Sequence, residues 1–185
     1  MLRQRTILRE VNAAGIGLHS GELIWITIKP SGVGSGVVFR RKDLTPFKDI
    51  SVSSARVINT NLASTIDEKG VSISTVEHLM AALSGLGIDN VLIEITGPEV
   101  PIMDGSASSF VYLLKSAGIR EQEESKKFVE IINTVTVKDG EKWAKLEPFF
   151  GFRLNFIIDF SHPAVNETGQ NASIDFETTS FSEEI

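Results

Sequence analysis

Three features of the sequence predict an α+β fold. The segment 23–28 is rich in β-branched and aromatic residues, which is typical of a strand. Two later segments, 75–84 and 106–117, repeat apolar residues at helical spacing. From residue 128 onward the pattern is strand-like again. The chain has 185 residues, 42% of them hydrophobic, which is enough for one ordinary domain or two small ones.

The first part of the chain is predicted to open with strands. Residues 5–30 are interpreted as a hairpin, with Gly15, Gly17 and Gly21 in the connection, where close backbone approach is tolerated. A glycine-rich turn over 32–36 precedes a short strand over 37–40. The range 43–73 is predicted to contain short strands and loops.

Two helices and a strand are predicted to follow. The helix Thr75–Ser84 has an apolar stripe of Val76, Leu79, Met80 and Leu83, and Gly85 supplies its stop. A buried strand is predicted over 90–95. The second helix begins after the Asp104-Gly105-Ser106 sequence and ends near Ala117.

The charged segment 121–127 lacks apolar periodicity and is predicted to be a linker, although a solvated helix end is an alternative. It divides a first α+β domain, 1–120, from a second one, 128–185. The second part offers strands, with a hairpin turn at Asp139-Gly140, but no helix to cover them. Either the first domain covers this sheet, or the second domain continues beyond residue 185.

Composition excludes several classes of function. The net charge is −6 and the basic residues are scattered, which is unfavourable for nucleic-acid binding. No cysteine is present, so disulfides, thiolate zinc sites and cysteine nucleophiles are excluded. No signal peptide or transmembrane segment is indicated. We therefore expect a cytoplasmic protein.

The pair Glu77-His78 is the most informative candidate site. His78 is predicted to lie opposite the apolar stripe of its helix, either as a solvent-exposed histidine or as a ligand. Glu77 fits a capping box, in which its carboxylate accepts the backbone N–H of Ser74. An H-x-x-E-H zinc motif would need histidine at position 74, where the chain has serine. Spacing alone therefore leaves both interpretations open.

The other polar candidates have structural alternatives as well. His19 is either a turn residue or a site residue in a glycine-rich loop. His162 follows a strand and is interpreted as a loop histidine. Asp104 and Ser106 at a helix start are interpreted as capping residues, with an anion site as the alternative.

Several ordered segments resemble the family of UDP-3-O-acyl-N-acetylglucosamine deacetylases, which carry out the committed step of lipid A synthesis in Gram-negative bacteria. The resemblance covers the whole chain and rests on the segments 15–21, 74–83, 87–90, 101–107 and 162–164. It implies two similar α+β domains packed as a β-α-α-β sandwich around a catalytic zinc, with the second domain truncated in this chain.

The resemblance also implies roles for individual residues. His78 would be one of three protein ligands to zinc, and Glu77 the general base that takes a proton from zinc-bound water. Leu62, Ala63 and His19 are predicted to bind the substrate, although many members carry cysteine where this chain has Ala63. The other zinc ligands, a histidine and an aspartate, would lie beyond residue 185. The chain alone is therefore expected to be inactive.

Two other functions are compatible with the residues. A non-catalytic binding or structural fragment would use Glu77 only as a cap and His78 only as a surface group. An unrelated phosphate-binding domain would use the glycine-rich loops, but no P-loop or dinucleotide fingerprint supports it.

Overall fold

A computed structural model describes residues 2–184 and confirms the α+β fold. The chain forms two compact units, residues 2–127 and Phe128–Glu184. That these units are independent domains stays a prediction, and Met1 and Ile185 lie outside the described residues. The strands are β1 (Arg3–Ile7), β2 (Val11–Ile16), β3 (Leu23–Pro30), β4 (Val37–Arg41), β5 (Lys48–Ser51), β6 (Val57–Asn59), β7 (Thr65–Glu68), β8 (Val71–Ile73), β9 (Val91–Ile95), β10 (Ile119–Ser125), β11 (Val135–Asp139), β12 (Lys142–Leu146), β13 (Arg153–Ile157) and β14 (Asn171–Asp175). The helices are α1 (Glu77–Gly85), α2 (Ser108–Ala117), α3 (Pro163–Asn166) and α4 (Phe181–Glu184), and Ser54–Arg56 forms one turn of 3₁₀ helix.

A five-stranded sheet is the centre of the first unit. Its order is β2-β3-β9-β4-β5, and every pairing is antiparallel except that of β4 with β9. β3 alternates as predicted: Ile24, Ile26 and Ile28 are buried, whereas Leu23 and Trp25 are exposed. α2 packs against β2 of this sheet and also against α1. The main contributions of the two helices to the core are Leu79, Leu83, Phe110 and Leu114.

The predicted hairpin over residues 5–30 is only partly correct. β2 and β3 form a hairpin with Val11 opposite Ile28 and Ile16 opposite Leu23. The preceding strand, β1, does not join it. β1 pairs instead with β10, with Ile7 opposite Ile119 and Arg3 opposite Ser125.

The charged segment predicted as a linker is therefore mostly a strand. β10 covers residues 119–125, and Lys126 still donates its backbone N–H to the carbonyl of Leu2 at 2.9 Å. The strand needs no apolar stripe, because backbone pairing with β1 supports it and its charged side chains point into solvent. The uncharged Gln122 is the one residue of β10 that is not exposed; it is half-buried and joins a hydrogen-bonded network inside the unit.

Asn90 is the centre of that network and is 1% exposed. Its side-chain amide donates to Gln4 Oε1 at 2.8 Å and to Gln122 Oε1 at 2.7 Å, and its Oδ1 accepts the backbone N–H of Gly36 at 2.9 Å. Gln122 in turn donates to the carbonyl of Ser31 at 2.9 Å. These bonds join β1, β10, the start of β9 and the turn before β4.

A second, three-stranded sheet leads into the first helix. Its order is β6-β7-β8, and all pairings are antiparallel. The buried guanidinium of Arg41 holds it to the larger sheet by donating to the carbonyl of Ser72 at 2.9 Å, while pairing with Asp43. β8 ends at Ile73, and α1 begins four positions later at Glu77.

The second unit consists of two separate hairpins, β11–β12 and β13–β14. The predicted turn at Asp139-Gly140 is present, since Asp139 pairs with Lys142. The strand predicted from residue 128 begins only at residue 135, and two one-turn helices, α3 and α4, occur where none was predicted. Phe152 and Phe176 stack with their ring centroids 5.4 Å apart. Many large apolar side chains of this unit are exposed.

Within residues 2–184, no helix is both long enough and apolar enough to cross a membrane.

Candidate functional site

The start of α1 differs from the predicted capping box. The backbone N–H of Ser74 is already used, because it donates to the carbonyl of Pro98 at 2.8 Å in a short parallel bridge. Glu77 instead accepts the backbone N–H of Ser64 through Oε2 at 3.0 Å. The carboxylate therefore connects the helix to a loop 13 residues upstream. Among residues 2–184, only Ser64 hydrogen-bonds this carboxylate, which leaves Oε1 available.

The loop that carries Leu62 and Ala63 is tied to the same helix start. Ser64 also accepts the backbone N–H of Val76 at 3.4 Å, so it contacts the helix start through both its N–H and its carbonyl. Leu62 has a positive φ of 60° and is 90% exposed, whereas Ala63 is buried. The structure therefore brings the loop with two of the three predicted substrate-binding residues, Leu62 and Ala63, next to Glu77.

His78 is half-buried, which differs from the fully exposed alternative. Its Nδ1 is buried and has no hydrogen-bond partner within the described part of the chain. The predicted apolar stripe is confirmed at Val76, Leu79 and Leu83, which are all buried. A buried imidazole nitrogen without a partner is unfavourable unless a ligand or water completes it.

His19 is exposed, and it is anchored through its backbone N–H. Its N–H donates to Glu99 Oε1 at 2.9 Å, and the N–H of Ser20 donates to Glu99 Oε2 at 2.9 Å. The same carboxylate accepts the hydroxyl of Thr75 at 3.2 Å. Glu99 therefore joins the His19 loop to the residue two positions before Glu77.

Sequence reasoning missed Glu99. The only available signal was that it is the single charged residue in the run 95–103, between two prolines. Burial would raise the pKa of Glu99, but hydrogen bonds from His19, Ser20 and Thr75 outweigh burial and lower it. The structure therefore holds Glu99 as a carboxylate.

Of the two predicted capping residues at the start of α2, Asp104 and Ser106, only Ser106 accepts a backbone N–H of the helix. Asp104 Oδ1 accepts the N–H and the hydroxyl of Ser106, both at 3.1 Å, and Ser106 Oγ accepts the N–H of Ser108 at 3.1 Å. The hydrogen bond from the Ser106 N–H is the main reason that the pKa of Asp104 is lowered. The formal cap residue of α2 is Ala107, which makes no side-chain cap bond. The local hydrogen bonds account for Asp104 without a bound anion.

His162 caps α3, because its Nδ1 accepts the N–H of Ala164 at 3.2 Å. This agrees with its interpretation as a loop histidine.

An open cleft of about 400 Å³ lies in the first unit, next to α2. Of the candidate residues only Asp104 lines it, and none of the residues assigned to catalysis, zinc or substrate does. Its lining residues are Ala13, Met103, Asp104, Ser108, Ser109, Tyr112 and Leu113.

The described residues do not form a complete metal site. Within residues 2–184, no group of three or more histidine, aspartate or glutamate side chains could hold a metal ion. His78 could contribute one imidazole nitrogen, and its buried Nδ1 has no hydrogen-bond partner among the described residues. The adjacent residue, Glu77, has one carboxylate oxygen, Oε1, that is not used by Ser64. This set can supply part of a zinc site, which needs three protein ligands when it is catalytic.

Comparison with known families gives one finding. The family model described as "LpxC: UDP-3-O-acyl N-acetylglycosamine deacetylase" matches residues 4–185. The match includes every residue of the candidate site.

Proposed function

The chain belongs to the LpxC family of UDP-3-O-acyl N-acetylglycosamine deacetylases, and we propose that its parent protein hydrolyses the N-acetyl group of UDP-3-O-(3-hydroxyacyl)-N-acetylglucosamine. The products are acetate and the free amine, and the step belongs to lipid A synthesis in the cytoplasm of a Gram-negative bacterium. The observation that carries the proposal is the family match over nearly the whole chain, including the Glu77-His78 pair.

We assign His78 as one ligand of a catalytic zinc, with the other protein ligands outside the described residues. Zinc, when bound, would polarise the acetamide carbonyl and lower the pKa of a water molecule. The buried, unpartnered Nδ1 of His78 supports a missing partner at this ring. Residues 1–185 alone, with no cluster of three ligands in the described part, are expected to be inactive.

Glu77 is the proposed general base. The N–H of Ser64 binds Oε2 and restricts the rotation of the carboxylate, while Oε1 remains available to accept a proton from the attacking water. The same N–H couples the base to the loop of Leu62 and Ala63, which we assign to substrate binding together with His19. A small shift of this loop would therefore move the base.

The decisive experiment compares Glu77→Gln with the wild type in the full-length protein. The amide oxygen of glutamine can still accept the Ser64 N–H, so the free energy of unfolding should change by under ~1 kcal/mol. Zinc content should not change, because His78 is untouched. Acetate release should fall by at least ~100-fold, because an amide cannot act as a base.

Glu68→Gln is a matched control. Glu68 Oε2 accepts the backbone N–H of Ser51 at 3.0 Å, which is the same kind of bond at the same length. This variant should keep its deacetylase activity. If Glu77→Gln also keeps it, Glu77 only anchors the loop and the proposed mechanism is wrong. His78→Ala should lose zinc and activity together.

A further inference from the structure

Glu99 is a buried charged residue to which the proposed mechanism gives no role. It is 3% exposed. Its carboxylate accepts hydrogen bonds from neutral donors: the N–H groups of His19 and Ser20, each at 2.9 Å, and the hydroxyl of Thr75 at 3.2 Å. A buried carboxylate is costly unless its oxygens are hydrogen-bonded, so these contacts must persist for the unit to fold as observed.

The contact between Glu99 and the His19 loop is tight. A Cβ atom added at Gly17 would lie 2.5 Å from Glu99 Oε2 and closer still to Ser20 Oγ. The loop closes on itself through the N–H of Gly21, which donates to the carbonyl of Gly17 at 2.9 Å. The carboxylate therefore lies inside a closed turn, and a side chain at position 17 would have to displace it together with Ser20 Oγ.

The other end of the contact is the residue that turns the chain into α1. Thr75 has a φ of 57°, a conformation that is rare for β-branched residues, and it is 2% exposed. Its neighbour Ser74 is fixed to the Glu99 segment from both sides, because it donates to Pro98 and accepts the N–H of Val100 at 3.0 Å. Surrounding hydrogen bonds of this kind are needed to maintain a strained backbone.

We infer that Glu99 is a positioning residue, which fixes the loop of His19 relative to the helix start that carries Glu77 and His78. The inference rests on the proposed function, in which His19 binds the substrate. Oε1 accepts from both segments, through the N–H of His19 and the hydroxyl of Thr75, and Oε2 holds the loop through the N–H of Ser20, so loss of either oxygen as an acceptor weakens the hold on the loop. Glu99 itself is buried and acts through His19.

Glu99→Gln in the full-length protein tests this role. Glutamine replaces one acceptor oxygen by an NH₂ group, which then faces either the N–H of Ser20 or the donors of His19 and Thr75. Released from its anchor, His19 should bind substrate less well, so KM should rise by ~10-fold or more with kcat little changed. His19→Ala should raise KM similarly, and the double variant should show no further increase, because both changes remove one interaction.

Glu94→Gln is the matched control. Glu94 is also buried, but it lies on β9 and pairs with Lys29 at 3.0 Å and Lys42 at 3.2 Å, away from the His19 loop. It should lower stability without changing KM. A purely structural role for Glu99 would instead lower the active fraction, which reduces apparent kcat and leaves KM unchanged.

Amide hydrogen exchange gives a readout that does not depend on activity. Glu99→Gln should accelerate exchange at His19 and Ser20 by ~10-fold or more, whereas Glu94→Gln should not. Unchanged exchange, or KM effects of Glu99→Gln and His19→Ala that multiply, would overturn the inference. If the wild-type protein releases no acetate, the proposed function fails and the role of Glu99 in the reaction fails with it. The exchange result then still decides whether Glu99 holds the loop.

Discussion

Replacing Asn90 by alanine should strongly destabilise the first unit. Its buried amide makes three hydrogen bonds, to Gln4, Gln122 and the N–H of Gly36, at 2.7–2.9 Å. At ~1 kcal/mol of net contribution each, their loss should lower the free energy of unfolding by about 3 kcal/mol. In this variant Gln4 Oε1 still accepts one hydrogen bond, from the N–H of Gly34 at 3.0 Å. The N–H of Gly36 loses its side-chain acceptor, and Gln122 Oε1 loses Asn90 as a donor. The expected decrease in Tm is roughly 10 °C.

Urea unfolding followed by circular dichroism measures the effect, and Asn12→Ala is the control. Asn12 lies on β2 and accepts the hydroxyl of Thr27 at 2.6 Å, but it is exposed. Its replacement should cost under ~0.5 kcal/mol, as is usual for surface positions. If the two variants differ by less than ~1 kcal/mol, buried amide bonds do not hold β1 and β10 to the sheet, and our account of β10 is wrong.

Three further outcomes are expected. Acid should destabilise the first unit, because the pKa of Glu99 in the folded state lies below its ordinary value of 4.5. The ionised carboxylate therefore contributes its full stabilisation above pH 4.5. This stabilisation is lost as the pH falls through the pKa of the folded state. Urea titrations at decreasing pH should show this, and Glu99→Gln should flatten the dependence; an unchanged slope would contradict it. Residues 1–185 alone should keep less than one equivalent of zinc after dialysis against a chelator, since the described part lacks a three-ligand cluster; metal analysis showing full retention would refute this. Trypsin should cut first after Lys127, which is exposed and lies just beyond β10, and an initial cut after Arg120, inside β10, would argue against its pairing.

Local patterns predicted local structure well. The alternation of Ile24, Ile26 and Ile28 identified β3, and the stripe of Leu79 and Leu83 identified α1, because burial repeats with the period of each element. The turn at Gly140 was also predictable, since Asp-Gly favours a tight hairpin.

Pairings between distant segments were not predictable from one sequence. β10 carries polar residues on both faces, so its composition resembles that of a linker, and only its backbone pairing with β1 makes it a strand. Ser64 meets Glu77 because the β7–β8 hairpin folds back, and no spacing rule for helix caps includes such a partner. The contacts of Glu99 with His19 and Thr75 were unpredictable for the same reason.

The position of β1 in the chain also affects how the first unit can form during translation. Ile7 is synthesised more than a hundred residues before its partner Ile119. At ~5–20 residues per second, the ribosome needs about 6–22 s to deliver that partner. Throughout this interval the backbone groups of β1 that later bind β10 have no native partner, and loop closure over this length slows the final pairing. The first strand to leave the ribosome is therefore among the last to be completed, and a nascent chain that stalls before residue 119 cannot close the first unit.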